Sequence, residues 1–125
     1  MTGKIAVIDD VPAIANMYKY KLEDLGFTVE TARNGKIGLE IIEALKPDLI
    51  LVDLMMPEMS GDEMIAKLHT YEWAKDIIVI MLSNVGSVDM PPSIKKLKID
   101  KFLIKAEFTP AEVAKVVTDL LSSKK

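Results

Sequence analysis

The 125-residue chain has no cysteine, one histidine and one tryptophan, and aromatic side chains make up only 6% of it. Without cysteine there is no disulfide framework, so stability has to come from an apolar core. Half of the residues are apolar, enough at this length for one core, and a single domain over residues 1–125 with no output domain is expected. No apolar run approaches the roughly 20 residues of a membrane-spanning helix, and Lys4 opens only a short strand-like stretch where a secretory leader would continue. A soluble cytoplasmic protein with no membrane partner is therefore expected. The chain also lacks a basic excess: its formal charge is -3, and its closest basic cluster, Lys95, Lys96, Lys98 and Lys101, reads as a solvated face rather than a nucleic-acid footprint. Internal repeats and low-complexity linkers are missing too, and only residues 122–125 read as a frayed tail.

What the chain does have is a series of apolar strands that stop at polar residues. Leu49-Ile50-Leu51-Val52 is continuously apolar, the pattern of a central parallel strand covered on both faces, and it ends at Asp53. Ile5-Ala6-Val7-Ile8 ends at Asp9-Asp10, the run from Ile77 to Leu82 ends at Ser83-Asn84, and Lys101-Phe102-Leu103-Ile104 ends at Lys105. Phe27, Val29 and Thr31 alternate with Thr28 and Glu30, which predicts a strand near a sheet edge.

Helical signals fill the intervals. Pro12 opens a helix with an inward stripe of Ile14, Met17, Tyr18, Leu22 and Leu25, and Gly26 stops it. Asn34-Gly35 leads into a second helix carrying Gly38, Ile41, Ile42 and Leu45, closed by Pro47. Ser60 and Glu63 form a capping box before Met64, Ile65 and Leu68, and Thr109 and Glu112 form another before Val113, Val116, Val117, Leu120 and Leu121. Between Gly86 and Leu97, with Pro91-Pro92 inside it, there is room only for a short helix around residues 93–97. Five strands alternating with five helices predict an α/β fold, a flavodoxin-like (βα)5 three-layer sandwich with a parallel sheet in the order 2-1-3-4-5.

In that order the carboxyl ends of four strands gather Asp9, Asp10, Asp53, Ser83 and Lys105 in one crevice. Three crowded carboxylates repel one another unless they take up protons or share a cation, and an all-oxygen donor set suits Mg²⁺. Mg²⁺ commonly bridges protein carboxylates to phosphate oxygens; Lys105 supplies a point charge for a phosphoryl oxygen and the Ser83 hydroxyl a second donor. Aspartate is a competent nucleophile for making an acyl phosphate, so the crevice reads as a site of phosphoryl transfer to one carboxylate.

These residues, in this order, resemble the receiver domain of bacterial two-component response regulators, of the single-domain chemotaxis-regulator type. The resemblance runs from Lys4 to the last helix and rests on Asp9-Asp10, Asp53 with Met56-Pro57 and Gly61, Ser83 and Lys105. It implies that Asp53 is the phosphoacceptor, that Asp9, Asp10, Asp53 and the Met55 backbone carbonyl hold Mg²⁺, and that Lys105 contacts the phosphoryl group. It further implies a switch in which Ser83 shifts toward the phosphate and Phe102 swings inward. A phosphoryl group adds roughly -1.5 to -2 charges and three strong acceptors, enough to remodel the surface around the fourth predicted helix, the fifth strand and the last helix. The implied partners are a sensor histidine kinase or a small phosphodonor, a downstream effector protein, and a second copy through that same surface.

The chain departs from the family pattern in places. Ala106 follows Lys105 where a cis proline is usual, leaving either a trans bond and a rearranged loop or a cis bond that costs about 2.5–4 kcal/mol. Asn84 stands where a small residue is usual, facing solvent or crowding the phosphoryl group. Met55 and Val85 are apolar and poor at orienting water, which suggests slow loss of phosphate. Phe102 has no hydroxyl, so it also reads as ordinary core. His69 reads as a surface or boundary residue, and Tyr71 and Trp73 as packing at the end of the third helix.

Three other readings use the same residues. A receiver that has lost its switch would serve as a phosphorylation-independent interaction module. A Mg²⁺-dependent phosphatase working through an aspartyl phosphate usually needs a general acid two residues after the nucleophile, and that position is Met55. A flavin module would need a phosphate-cradling loop after the first strand, where Asp9-Asp10-Val11-Pro12 repels phosphate.

Overall fold

A computed structural model describes residues 3–84, 92 and 96–123. In chain order the elements are β1 (Lys4–Ile8), α1 (Pro12–Asp24), β2 (Thr28–Ala32), α2 (Gly35–Leu45), β3 (Leu49–Asp53), α3 (Gly61–Leu68), β4 (Ile78–Ser83), β5 (Lys101–Ile104) and α4 (Pro110–Ser123), with short 3-10 turns at Glu72–Ala74 and Lys105–Glu107. All strand pairs are parallel and the order is β2-β1-β3-β4-β5, as the alternation of strand and helix signals predicts. Four α-helices stand among the described residues. Of the short helix expected around residues 93–97, residues 93–95 lie outside them.

The sheet sorts its side chains by parity. Ile5, Val7, Leu49, Leu51, Ile80, Leu82 and Leu103 face a core shared with α1 and α4. Ala6, Ile8, Ile50, Val52, Val79 and Met81 face a second core shared with α2 and α3. Every residue of β3 and β4 is buried, because a strand covered by helices on both faces has no wet side; this is why their sequences run without alternation. β2 alternates instead, and it lies at one edge.

The helix signals hold with one correction. Asn34 caps α2 by accepting from the Ile37 N–H at 2.8 Å. Glu63 reaches back to the Ser60 N–H at 3.3 Å and hydroxyl at 2.9 Å, and Thr109 and Glu112 exchange both bonds of a capping box, 2.9 and 3.1 Å. On α1 the inward residues are Ala15, Tyr18 and Leu22, while Met17 and Leu25, expected inside, are exposed. Ala15, Tyr18 and Leu22 follow helical spacing along one stripe; Met17 lies around the helix from it, and Leu25 already sits at the C-cap, past the last full turn.

Gly61 determines how closely α3 approaches the end of β3. Its N–H donates to the Leu54 carbonyl at 2.8 Å, and a Cβ there would run into the Asp53 carbonyl oxygen and lie 3.0 Å from the Leu54 Cα. These obstacles are backbone and cannot rotate away. Gly61→Ala is expected to destabilise the protein by about 1–3 kcal/mol, the usual cost of overpacking a tight contact. Urea unfolding of the two proteins checks this; equal midpoints would contradict the close approach.

Candidate functional site

Parallel pairing in register brings the carboxyl ends of β1, β3, β4 and β5 to one rim of the sheet. Asp9 directly follows β1, and its N–H donates to the Ala32 carbonyl at 3.0 Å, so the residue is pinned beside the end of β2. Its Oδ1 accepts from the Val11 N–H at 3.0 Å, where α1 is about to begin with Pro12 in its first turn. Asp53 is the last residue of β3, and its Oδ1 accepts from the Met55 N–H at 3.3 Å. Each carboxylate thus spends one oxygen on its own loop and turns the other toward the crevice.

Lys105 meets both of those free oxygens. Its Nζ lies 2.9 Å from Asp9 Oδ2 and 3.1 Å from Asp53 Oδ2, joining residues 96 and 52 positions apart in the chain. All three groups are largely shielded: Asp9 is 2% and Asp53 7% exposed, and the lysine side chain 10%. Lys105 begins the 3-10 turn Lys105–Glu107, and its bond to Ala106 is trans, which resolves the alternative left open by the missing proline. Asp10 is half-buried, and one oxygen each from Asp9, Asp10 and Asp53 lie within 4.8 Å of one another. Three hard carboxylate donors at that spacing fit an octahedral, oxygen-seeking ion such as Mg²⁺, and the single ammonium of Lys105 cannot balance them alone.

Ser83, fully buried, ends β4; it pairs with Ile104, the residue before Lys105, while Asp53 pairs with Leu82. Phe102 is half-buried on β5 and packs against the core on the α2 and α3 side. Met55 is 61% exposed, and Asn84 faces solvent. Val85 lies outside the described residues. His69 is the C-cap of α3, near Lys98 and Asp100; burial first, then the Lys98 charge, lower its pKa, and it takes no part in the crevice. Tyr71 and Trp73 stack at 5.7 Å beyond the end of α3, with Lys46 Nζ 3.4 Å above the tryptophan ring.

One neighbour of the crevice was not legible as such. Tyr18, read from spacing as an inward residue of α1, is buried close enough to Lys105, Asp9 and Asp53 for their charges to act on its phenol, whose pKa is raised chiefly by burial. Its signal in the sequence is only its place on the buried stripe, two turns after Asp10. Beside Asp9 the crevice opens into a groove of about 340 Å³ that reaches Asn16, Thr31 and Arg33.

Burial pushes the Asp53 carboxyl up to about 6; Lys105 opposes this and the Asp9 charge adds to it. The Lys105 ammonium loses some stability to burial, but its bond to Asp9 and the Asp53 charge outweigh that and raise its pKa.

Residues 5–118 match the family model for the response regulator receiver domain. Among curated proteins, the chain is 38% identical over 85 residues to the DNA-binding dual master transcriptional regulator RpaA of Synechocystis sp., covering 68% of this chain and 35% of that protein. It is 35% identical over 114 residues to the phosphate regulon transcriptional regulatory protein PhoB of Pseudomonas aeruginosa, covering 90% of this chain and 49% of that one. The chain thus spans a third to a half of the length of such relatives. Among solved structures, the chemotaxis protein CheY4 of Vibrio cholerae superposes with a TM-score of 0.87 at 27% identity, over 95% of this chain and 98% of that one. A CheY-like receiver domain protein from Methanospirillum hungatei gives 0.88 at 26% identity, over 98% and 96%.

The raised Asp53 pKa has a definite sign in stability. An unfolded carboxylate titrates near about 3.9, so the folded protein binds the proton more tightly. The group's contribution is complete below about 3.9, falls as pH rises, and is gone above about 6. In chelator, Asp53→Asn is therefore expected to gain stability over wild type as pH rises from 4 to 6, with a constant difference beyond. Urea unfolding across that range measures it; a difference that shrinks with pH would contradict the burial effect.

Proposed function

The chain belongs to the response regulator receiver domain family, and from that premise we propose that Asp53 is the phosphoacceptor of its switch. Receiver domains are regulatory domains that act as phosphorylation-dependent switches in two-component systems, generally bind Mg²⁺, and work with histidine kinases and downstream effectors. The observation that carries the assignment to Asp53 is the convergence of Lys105 Nζ on Asp53 Oδ2 at 3.1 Å and Asp9 Oδ2 at 2.9 Å, with Asp10 alongside.

The chemistry follows from these groups. With a pKa of about 6, Asp53 is mostly ionised at neutral pH and can attack phosphorus. The new bond joins a carboxylate oxygen to phosphorus, and the bond from phosphorus to the donor, a kinase phosphohistidine or a small phosphodonor, breaks. Lys105 follows the negative charge from the carboxylate to a phosphoryl oxygen, and the Ser83 hydroxyl donates to another. Asp9, Asp10, Asp53 and the Met55 carbonyl would hold Mg²⁺, which when bound supplies neutralisation of the charge that builds on the phosphoryl oxygens. Phe102 turns inward as Ser83 shifts, and the surface of β5 and α4 changes for an effector protein or a second copy of the chain.

Residues 1–125 act as one cytoplasmic receiver domain whose catalysis is limited to its own phosphorylation and dephosphorylation, with no direct nucleic-acid or membrane partner. Exposed, apolar Met55 offers no general acid for rapid turnover, which argues for slow loss of phosphate and against a phosphatase. No helix among the described residues is long and apolar enough to cross a membrane.

Intact mass after treatment with a small phosphodonor and Mg²⁺ tests the assignment. Wild type is expected to gain one phosphoryl group, and Asp53→Asn and chelator-treated wild type none. An adduct that persists in Asp53→Asn rejects Asp53 as acceptor; no adduct in either protein favours a phosphorylation-independent interaction module.

A further inference from the structure

Methionine is common in this chain, and the fold treats its copies unequally. Met56, Met64 and Met81 are buried and Met59 is half-buried, leaving Met17 on α1, 42% exposed, and Met55, 61% exposed, as the open thioethers among the described residues. Met55 is also the one tied to the carboxylate cluster. Its N–H is bonded to Asp53 Oδ1 at 3.3 Å, so its sulfur sits on a short arm anchored beside the phosphoacceptor.

We propose that Met55 is a redox-sensitive modification site, and that its oxidation to the sulfoxide by a peroxide shortens the life of the phosphoryl group on Asp53. The proposal rests on the phosphoacceptor reading above. In the oxidation step a sulfur lone pair attacks one peroxide oxygen, the O–O bond breaks, and the departing hydroxide takes the proton to leave as water; sulfur is oxidised and the peroxide reduced.

The consequence for the site follows from what each form of the side chain can hold. A thioether sulfur is a weak acceptor and excludes water from its surroundings, whereas a sulfoxide carries a strong oxygen acceptor on the same arm. Hydrolysis of an acyl phosphate needs a water held against phosphorus, and the three side chains that directly follow Asp53 are all apolar: Leu54 and Met56 buried, Met55 exposed. An acceptor at position 55 supplies an orienting group among these three side chains. The change is reversible by sulfoxide reduction, so the lifetime of the signal would track the oxidant.

The test uses the full chain, dilute hydrogen peroxide and a small acyl phosphate donor with Mg²⁺. Peptide mapping is expected to find the added oxygen on Met55 before Met17. After donor removal, intact mass is expected to show the adduct decaying about three- to tenfold faster in oxidised than in unoxidised wild type, short of general acid–base catalysis because a sulfoxide orients water without taking its proton. Within Met55→Leu the ratio of the two lifetimes is expected to fall to one, and Met55→Gln, which places an amide acceptor there, is expected to decay faster than Met55→Leu without peroxide. Oxidation of Met17 ahead of Met55, equal decay before and after oxidation, or an equal peroxide effect in Met55→Leu each overturns the proposal. Wild type that gains no adduct before oxidation overturns the phosphoacceptor reading, and this proposal with it.

Discussion

A single ammonium group held between two shielded carboxylates is the interaction on which the crevice depends. Lys105 contributes one positive charge where Asp9, Asp10 and Asp53 bring three acids together, and all of it happens with little access to water. Burying such groups costs several kcal/mol per ion, so the arrangement contributes little net stability over an apolar one, yet loss of Lys105 leaves the acids uncompensated at a cost of about 3–5 kcal/mol. The cluster is therefore better understood as poised than as stabilising: three acids against one ammonium leave it under-neutralised.

The fold accommodates this by dividing labour within each side chain. Asp9 Oδ1 and Asp53 Oδ1 accept from the backbone N–H groups of Val11 and Met55, which fixes the carboxylate planes, and each Oδ2 is turned to Lys105. Gly61 lets α3 begin directly against the Asp53 carbonyl, bracing that residue from behind. Beneath, β3 and β4 are apolar up to their last residues and the paired strands hold register, so the positions of Asp53 and Ser83 are consequences of the core. Apolar packing sets the geometry and polar groups use it.

Most of this could be read from the residues because the two kinds of information are local. Buried parallel strands carry an unbroken apolar run, and the residue that breaks each run, Asp9, Asp53, Ser83 or Lys105, is the one delivered to the rim. The capping boxes at Ser60 and Thr109 likewise name their own partners three residues on. What the sequence did not disclose depends on packing between elements. Met17 and Leu25 read as core from helical spacing and are exposed, the first around the helix from the buried stripe and the second at the C-cap; Tyr18 looks like ordinary core and lies within the field of the carboxylates. The isomer of the Lys105–Ala106 bond and the proton affinity of Asp53 depend on surroundings that no short stretch encodes.

The two halves of the crevice are carried by strands of very different security. Asp9 and Asp53 hang from β1 and β3 in the middle of the sheet, whereas Lys105 hangs from β5, an edge strand of four residues of which only Leu103 is fully buried. Elements with little buried apolar surface open locally at lower free energy than core strands, so the lysine stands on a less secure element than the acids do. The cation that quiets the site is thus mounted on its most yielding support, as a latch is mounted on the door and not on the wall.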